Sequence, residues 1–200
     1  MKLDPQSIVD RLPGEARHAL STYHDLLLDR AVPAGMIAAG DRKRLWERHV
    51  LDSVRGVPCL PSGAHQVVDL GSGAGLPGIP IAICRPALRV NLVEPRSRRA
   101  AFLELVLEQL RISNVHVLPR RAEELSLEAD LCLARALGPA HRCWQLAQPL
   151  LSPTGALLLW AGRSWIEEGA VALSGQGVGW KICAQPGFSW EGPLVIIGAT

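Results

Sequence analysis

The spacing of apolar residues divides the chain into a helical beginning and a longer part that alternates between strands and helices. Before residue 57, apolar and aromatic side chains recur at helical intervals at Ile8, Leu12, Leu20, Tyr23 and Leu27. A Pro/Gly break at residues 32–35 separates them from a second helical stretch with Leu45, His49, Asp52 and Ser53. We therefore predict a helical annex over residues 1–57.

Residues 58–200 show a different pattern, in which short apolar runs are followed by amphipathic segments. Strands are predicted at Gln66–Leu70, Val90–Glu94, Val115–Leu118, Asp130–Ala134 and Ala156–Ala161. Helices are predicted at Ile79–Cys84, Arg98–Leu110 and Ala140–Leu150. Strands joined by helices form parallel sheets. Two closing strands, Gly179–Ala184 and Leu194–Gly198, flank a turn at Pro186-Gly187, so we expect an antiparallel edge on an α/β domain.

Composition limits the range of functions. With 200 residues, 48% of them hydrophobic, the chain can bury one core together with a small annex. No apolar run approaches the roughly 18 residues of a membrane span, and the start lacks a signal-peptide pattern. We expect a cytoplasmic monomer without a membrane partner. A net charge of +2 does not by itself indicate a nucleic-acid ligand.

The cysteines and histidines give no sign of a metal. The five cysteines are scattered and form no C-x-x-C pair: Cys59, Cys84, Cys132, Cys143 and Cys183. The six histidines show no H-E-x-x-H motif. We expect small buried cysteines, without a disulfide framework, and no metal site.

The candidate chemistry lies in the loop that follows the first predicted strand. Gly71, Gly73 and Gly75 permit backbone angles closed to other residues and leave room for close approach of a ligand. Such a loop lies at the carboxyl edge of a parallel sheet, where open α/β folds bind ligands. A P-loop is excluded because its Lys-Ser/Thr pair is missing. A dinucleotide loop, G-x-G-x-x-G, remains the nearest alternative.

Two acidic residues favour S-adenosylmethionine as the ligand. Asp69 directly precedes the loop, where a carboxylate would repel a pyrophosphate but attract an amine and a sulfonium. Glu94 ends the next strand, from which similar folds bond ribose hydroxyls. Ala122 and Glu123, after the third strand, are candidates for the adenine edge. We predict that Asp69 and Glu94 flank one ligand on a Rossmann-like class I methyltransferase sheet.

Several segments together resemble the RsmG, or glucose-inhibited division protein B, family. The resemblance rests on R-H-V-L-D-S at residues 48–53, on V-D-L-G-S-G-A-G-L-P-G-I-P at residues 68–80, and on shorter matches through A-R-A at residues 134–136. Members methylate N7 of a guanine in small-subunit ribosomal RNA. The resemblance implies cofactor contacts at Gly71, Leu76, Ala122, Glu123 and Arg135.

The resemblance weakens where the substrate is expected. The family's Asn-Leu-Thr segment is not found around residues 36–40, and its Lys-Gly appears as Ala161-Gly162. Basic residues near the final strand are replaced by Gly192-Pro193 and Gly198. The acceptor could therefore be another RNA or a small molecule, and a cofactor-binding module without catalysis is a further alternative.

No catalytic residue is assigned, but four candidates have two interpretations each. His49, Asp52 and Ser53 share one helix face and either close the pocket or fix the annex through a His–Asp hydrogen bond. Arg135 ends the fourth strand and either binds a cofactor carboxylate or RNA phosphate, or forms a salt bridge.

For RNA, or the assembled small subunit, the candidate electrostatic footprint consists of Arg42, Lys43, Arg44, Arg48, Arg96, Arg98, Arg99, Arg120 and Arg121. The late tryptophans, Trp160, Trp165, Trp180 and Trp190, are expected to pack in the core more than to stack on bases.

Overall fold

The computed structural model describes residues 4–165, 169–174, 177–184 and 192–198. Its centre is a seven-stranded sheet in the order β3-β2-β1-β4-β5-β7-β6. The strands are β1 (Gln66–Leu70), β2 (Arg89–Val93), β3 (Val115–Leu118), β4 (Ala129–Arg135), β5 (Leu151–Trp160), β6 (Gly179–Ala184) and β7 (Leu194–Gly198). The first five are parallel, and β7 pairs antiparallel with both β5 and β6. The predicted α/β sheet with an antiparallel edge is confirmed.

The helices are α1 (Pro5–Asp10), α2 (Gly14–Leu26), α3 (Asp52–Val54), α4 (Gly78–Cys84), α5 (Ser97–Leu110), α6 (Ala140–Ala147) and α7 (Gly169–Ser174). Single π-helical turns cover Leu27–Ala31 and Trp46–Leu51, and short 3₁₀ turns cover Ala39–Arg44, Val57–Cys59, Ala122–Glu124, Gln148–Leu150 and Arg163–Trp165. The annex, α4 and α5 cover one face of the sheet, and α6 and α7 cover the other. The fold therefore has three layers.

Burial explains why the central strands could be recognised. In β1, Val67, Val68, Asp69 and Leu70 are all buried, as expected for a parallel strand covered on both faces. The fifth strand was predicted to begin at Ala156, but β5 begins at Leu151. The additional residues include polar Ser152 and exposed Pro153, which hide the start of the strand in the hydrophobic pattern.

The annex does not pack as a separate body. Leu20, Tyr23 and Leu27 belong to the same buried cluster as Ile79 in α4 and Leu103 in α5. A division at residue 57 remains a prediction, since the annex and one face of the sheet share a core.

The cysteine prediction was wrong in one respect. Cys59 and Cys183 form a disulfide that joins the segment before β1 to the edge strand β6, 124 residues away in sequence. Antiparallel pairing at the end of the sheet creates this proximity, and spacing along the chain does not reveal it. Cys84, Cys132 and Cys143 are buried free thiols, as expected.

Two of the sequence predictions, the turn at Pro186-Gly187 and Trp190, lie outside the described residues. Within the described part of the chain, no helix is long and apolar enough to cross a membrane. No cluster of three or more metal-ligating side chains was found among those residues either.

Candidate methyl-donor and substrate site

The glycine loop turns sharply from β1 towards β2 at the carboxyl edge of the sheet. Gly71, Gly73 and Gly75 all have left-handed backbone angles, with φ of +66°, +59° and +95°. The Ser72 amide donates to the carbonyl of Val93 at 3.0 Å, which attaches the loop to the neighbouring strand. The sequence assigned these glycines correctly to positions that other residues rarely adopt.

The three glycines nevertheless have different surroundings. A Cβ on Gly75 would collide with the core, 2.9 Å from Ile79 Cγ1 and 3.1 Å from Leu103 Cδ2. A Cβ on Gly71 would lie 2.6 Å from Leu137 Cδ1. A Cβ on Gly73 would have no neighbour closer than 3.8 Å. Gly75 therefore serves packing, whereas Gly73 is the one of these three that leaves open space beside the loop.

Glu94 follows the end of β2 and fastens this loop. Its Oε2 accepts from the Gly73 amide at 3.0 Å, and its Oε1 accepts from the Arg96 amide at 2.9 Å. Arg99 Nη1 lies 3.8 Å from the same carboxylate. Because the Glu94 residue is only 3% exposed, it shapes the loop as well as supplying negative charge next to it.

Asp69 has one carboxylate oxygen engaged and one without a partner. Its Oδ2 accepts from the Gly78 amide at 3.0 Å, at the start of α4. Its Oδ1 is buried and has no hydrogen-bond partner among the described residues. Burial raises the pKa of Asp69 to about 7. The Gly78 hydrogen bond, the nearby Ser72 hydroxyl and the charge of Arg135 oppose that shift, and Glu94 adds to it. A cationic group bound beside the loop would stabilise the ionised form.

The residues expected at the adenine edge lie on the same side of the sheet. Ala122 and Glu123 belong to a 3₁₀ turn that follows β3, and the Glu123 side chain is exposed. Leu76 is half-buried at the end of the glycine loop and packs against the core. Their contact with a cofactor remains a prediction.

Arg135, at the end of β4, contacts the annex rather than open solvent. Its Nη2 donates to the Arg48 carbonyl at 2.9 Å, and its Nη1 donates to the His49 carbonyl and Ser53 Oγ at 3.1 Å each. Asp52 Oδ2 lies 3.5 Å from Nη1. These contacts match the salt-bridge interpretation of Arg135 and leave its role as a cofactor contact a prediction.

The same contacts fix the protonation of His49. Arginine has no acceptor, so His49 Nδ1 must accept from Arg135 Nη2 at 2.9 Å, and Nε2–H must donate to Asp41 Oδ2 at 3.0 Å. Burial and the charge of Arg135 lower the pKa of His49, which agrees with a neutral ring. The expected His–Asp hydrogen bond exists, but its carboxylate is Asp41.

Asp52 instead bonds to a buried arginine. Arg55 Nη2 donates to Asp52 Oδ1 at 2.8 Å and to the Gly192 carbonyl at 3.1 Å. The indole Nε1 of Trp160, at the end of β5, donates to the Asp52 carbonyl at 2.8 Å. Sequence reasoning missed both contacts. Trp160 is 108 residues from Asp52, so spacing does not reveal their hydrogen bond, whereas the Arg55–Asp52 pair has the i, i+3 spacing of a helix and could have been found from it.

The RNA-binding candidates fall into two groups. Five arginines follow the ends of the adjacent strands β2 and β3, at one edge of the sheet: Arg96, Arg98, Arg99, Arg120 and Arg121. The others lie in the annex, where Arg42, Lys43 and Arg44 are exposed. Arg42 Nη1 donates to the Leu28 carbonyl at 3.2 Å, and Arg48 pairs with Asp41 at 3.2 Å. Only the first group is brought together by strand order alone.

Two further residues connect the loop to its surroundings. Tyr23 in α2 donates its hydroxyl to the Ala74 carbonyl at 2.8 Å, in a fully buried position. Burial first, and the nearby Asp69 second, raise the pKa of Tyr23 well above its ordinary value. Leu137 covers Gly71 from the loop after β4. The sequence showed Tyr23 only as an apolar position of a helix.

A parallel sheet with a glycine loop between two strand-end carboxylates defines the class as a Rossmann-like methyltransferase fold. Solved structures agree: a putative S-adenosyl-L-methionine-dependent methyltransferase from Methanococcus maripaludis superposes with a TM-score of 0.62 at 13% identity, covering 81% of this chain and 92% of that one. A ribosomal protein L11 methylase from Lactobacillus delbrueckii subsp. bulgaricus gives 0.61 at 14% identity, with coverages of 76% and 79%. At such identities the likeness concerns the fold.

Sequence comparison identifies the family. Residues 16–173 match GidB, described as rRNA small subunit methyltransferase G, and the chain belongs to that family. A relative of that description from Thermobifida fusca is 43% identical over 161 residues, covering 80% of this chain and 68% of the relative. One from Mycobacterium leprae is 40% identical over 160 residues, with coverages of 78% and 64%. The chain thus spans about two thirds of the length of these relatives.

Proposed function

We propose that this protein transfers a methyl group from S-adenosylmethionine to N7 of a guanine in small-subunit ribosomal RNA. Family membership supports the reaction and its RNA substrate. The observation that carries the donor assignment is Asp69, whose buried Oδ1 has no partner among the described residues and which immediately precedes the glycine loop.

The residues present fit a positively charged donor. Asp69 and Glu94 supply two carboxylates beside the loop, and Glu94 contributes to the raised pKa of Asp69. Gly73 leaves space for close approach, and the exposed Glu123 lies at the neighbouring strand end. A phosphate-bearing dinucleotide would place negative charge next to these carboxylates, which is unfavourable.

The chemistry requires positioning more than proton transfer. The donor, when bound, supplies an electrophilic methyl group on a sulfonium. Guanine N7 has an in-plane lone pair and no proton, so no general base is needed and orientation within a dry site supplies the acceleration. The neutral His49, held between Arg135 and Asp41, fits this view because it acts as a structural link.

RNA approach is supported by the arginines at the sheet edge. Arg96, Arg98 and Arg99 follow β2, the neighbour of β1, and Arg120 and Arg121 follow β3, one strand further from the glycine loop. Cations in this position attract phosphates at long range. The alternative suggested by Ala161-Gly162 is a small-molecule acceptor. The affinity for such an acceptor would depend little on a row of arginines along the sheet edge.

The experiment is methyl transfer from labelled S-adenosylmethionine to small subunits isolated from a strain that lacks this gene. We expect label in the small-subunit RNA, and 7-methylguanine after digestion. Subunits from the parent strain, already methylated, serve as the control and should accept little. Binding of the donor in a calorimeter without transfer to any RNA would instead favour a non-catalytic binding module.

A further inference from the structure

Two side chains from outside the glycine loop, residues 71–76, fix its backbone. Such fixing is needed because glycines permit unusual backbone angles without selecting one conformation. Glu94, which follows β2, accepts from the Gly73 amide at 3.0 Å. Tyr23 of α2 donates its hydroxyl to the Ala74 carbonyl at 2.8 Å. The loop is therefore held both by the sheet and by the annex.

The hydrogen bond from Tyr23 completes the fixing of one peptide group in this loop. The peptide between Ala74 and Gly75 is trans, so its carbonyl and its amide point in opposite directions. The amide donates to the Ser72 carbonyl at 2.7 Å, and the carbonyl accepts from Tyr23. Rotation of the peptide group would break both hydrogen bonds. Without the hydroxyl only one of them remains, and Gly75, with a φ of +95°, restricts the rotation less than a larger residue would.

The ring of Tyr23 is itself held firmly. Leu20, Tyr23 and Leu27 lie on one face of α2 and of the turn that continues it, and all three are fully buried. They share a core with Ile79 of α4 and Leu103 of α5, the helices that follow β1 and β2. Because side chains in a close-packed core keep one rotamer, the packing of α2 sets the position of the hydroxyl.

The surroundings keep this hydroxyl in the form that donates a hydrogen bond. Burial is the larger cause that raises the pKa of Tyr23 well above its ordinary value, the charge of Asp69 is the second, and Arg135 opposes them. A phenolate could only accept and would face the Ala74 carbonyl as a second acceptor. The effect of Asp69 also shows that Tyr23 lies within electrostatic reach of the carboxylate that we expect to attract the donor.

We propose that Tyr23 is a positioning residue for the methyl donor, and that its hydroxyl holds the peptide between Ala74 and Gly75 in the shape that binds the donor. The proposal rests on the proposed function, since it concerns the affinity of the same site for S-adenosylmethionine. Tyr23 acts through the loop and does not itself touch the donor. The annex, which the sequence linked to the substrate, thereby contributes to donor binding.

The test measures binding of S-adenosylmethionine and S-adenosylhomocysteine by calorimetry at pH 8.5, where Asp69, with a pKa of about 7, is ionised. Tyr23→Phe removes only the hydroxyl, and Tyr23→Leu also removes the ring. Trp46→Phe is the matched control. Its indole Nε1 likewise donates one hydrogen bond from the annex, to Gln6 Oε1 at 3.1 Å, and neither residue of that pair belongs to the loop.

We expect Tyr23→Phe to weaken binding of both probes about three- to tenfold, the range that loss of one neutral hydrogen bond allows. With small subunits and saturating donor, kcat should stay within about twofold of wild type, so the effect appears in KM for the donor. A loss of stability alone would lower the concentration of folded enzyme, and hence the apparent kcat, and would leave the dissociation constant unchanged. Trp46→Phe should bind the donor like wild type.

Amide hydrogen exchange of the free protein gives a second measurement, which does not depend on a donor. The amides of Gly75 and Leu76 both donate to the Ser72 carbonyl, and in Tyr23→Phe they should exchange faster than in wild type. The amides of β1 should exchange as in wild type. A general loss of stability would accelerate exchange in the loop and in β1 alike.

Equal donor binding by wild type and Tyr23→Phe would overturn the proposal, and a defect confined to Tyr23→Leu would assign the ring to core packing alone. An equal loss in Trp46→Phe would overturn it as well, because any annex hydrogen bond would then matter. Failure of the proposed function gives a different result. If wild type binds neither probe, yet Tyr23→Phe still accelerates exchange selectively in the loop, the donor assignment is wrong and the anchoring of the loop by Tyr23 stands.

Discussion

The two halves of the carboxyl edge, at β1–β2 and at β4–β5, are built in different ways, and we call them the donor half and the acceptor half after the roles that we propose for them. The donor half is local: Asp69, the glycine loop and Glu94 come from one short segment, and their carboxylates bond to backbone amides of Gly73 and Gly78. The acceptor half is assembled over long distances, through Arg135 to residues 48–53 and through Trp160 to Asp52. A site built from one short segment can be recognised as a sequence motif, whereas a site built from side chains far apart in the chain produces no such motif.

The first prediction concerns a substitution that disrupts the donor half and leaves the acceptor half unchanged. Gly75→Ala should cost about 1–2 kcal/mol for its left-handed backbone and about 1–3 kcal/mol for collision with Ile79 and Leu103. We expect a total loss of about 2–5 kcal/mol in the free energy of unfolding, measured with denaturant, together with lost binding of S-adenosylmethionine.

Gly73→Ala is the matched control, because it has a similar backbone angle and no close neighbour. It should lose only about 1–2 kcal/mol of stability. If both variants unfold at the same denaturant concentration, packing around Gly75 does not distinguish the two positions.

The second prediction breaks the acceptor half. Arg135→Ala removes the hydrogen bonds from β4 to the Arg48 and His49 carbonyls and to Ser53. Hydrogen bonds to a charged group contribute about 1.5–3 kcal/mol, so we expect a stability loss of about 2–3 kcal/mol and weaker RNA methylation. Because the charge of Arg135 also lowers the pKa of Asp69, donor affinity is measured at pH 8.5, where that carboxylate is ionised, and should change less than twofold in calorimetry.

Arg135→Lys tests geometry separately from charge, since an ammonium cannot reproduce the planar fork of the guanidinium. It should recover only part of the lost stability. A large decrease in donor affinity in either variant would contradict the assignment of Arg135 to the acceptor half and would restore the cofactor-contact interpretation.

The positions of the proposed donor residues could be predicted from the sequence because their determinants are short-range, and their contact with a donor stays a prediction. Asp69, the glycine loop and Glu94 were located at neighbouring strand ends, as the structure has them. The hydrogen-bond partners of these carboxylates were not predicted. Glu94 accepts from the amides of Gly73 and Arg96, and Asp69 accepts from the amide of Gly78. A carboxylate's partners depend on the path of the loop, which spacing alone does not determine.

The acceptor half and the disulfide escaped prediction for a different reason. The bond between Cys59 and Cys183 depends on the position of an edge strand, and the Arg55 contact with Gly192 spans 137 residues. His49 was predicted to bond an aspartate, but a π-helical turn over Trp46–Leu51 and the preceding 3₁₀ turn direct it to Asp41. Helical spacing suggested Asp52 as the partner of His49, but the Asp52 carboxylate accepts a hydrogen bond from Arg55 instead.

The third prediction tests how the charge of Asp69 in the donor half affects stability and donor binding as the pH changes. The pKa of Asp69 is raised to about 7 from an ordinary value of 3.8, so the folded protein holds a proton that the unfolded chain loses. Stability contributed by this proton is present below about pH 4 and is lost as the pH rises to about 7. Donor affinity should change oppositely, rising through pH 7 as the carboxylate ionises and attracts the cation.

Asp69→Asn should abolish both pH dependences and lower donor affinity at pH 8 roughly tenfold, which corresponds to about 1.4 kcal/mol. Calorimetry with S-adenosylmethionine between pH 6 and pH 8.5 measures the affinity, and denaturant unfolding between pH 4 and pH 8 measures the stability. A wild-type affinity that stays constant across this range would show that the Asp69 charge does not contribute to donor binding.

The smallest expected effect concerns the arginines past the ends of β2 and β3, which we propose to contact RNA phosphates. Arg98→Ala, past the end of β2, should raise KM for the small subunit about two- to threefold and reduce the slope of log affinity against log salt by about one. The matched control is Arg89→Ala, because exposed Arg89 begins the same strand at the opposite edge of the sheet. Both variants remove one exposed positive charge, so net charge cannot separate them. An equal loss for Arg89→Ala would mean that RNA responds to the overall charge of the protein, whereas a loss confined to Arg98→Ala locates the phosphates at the carboxyl edge of the sheet, beside the β1–β2 half.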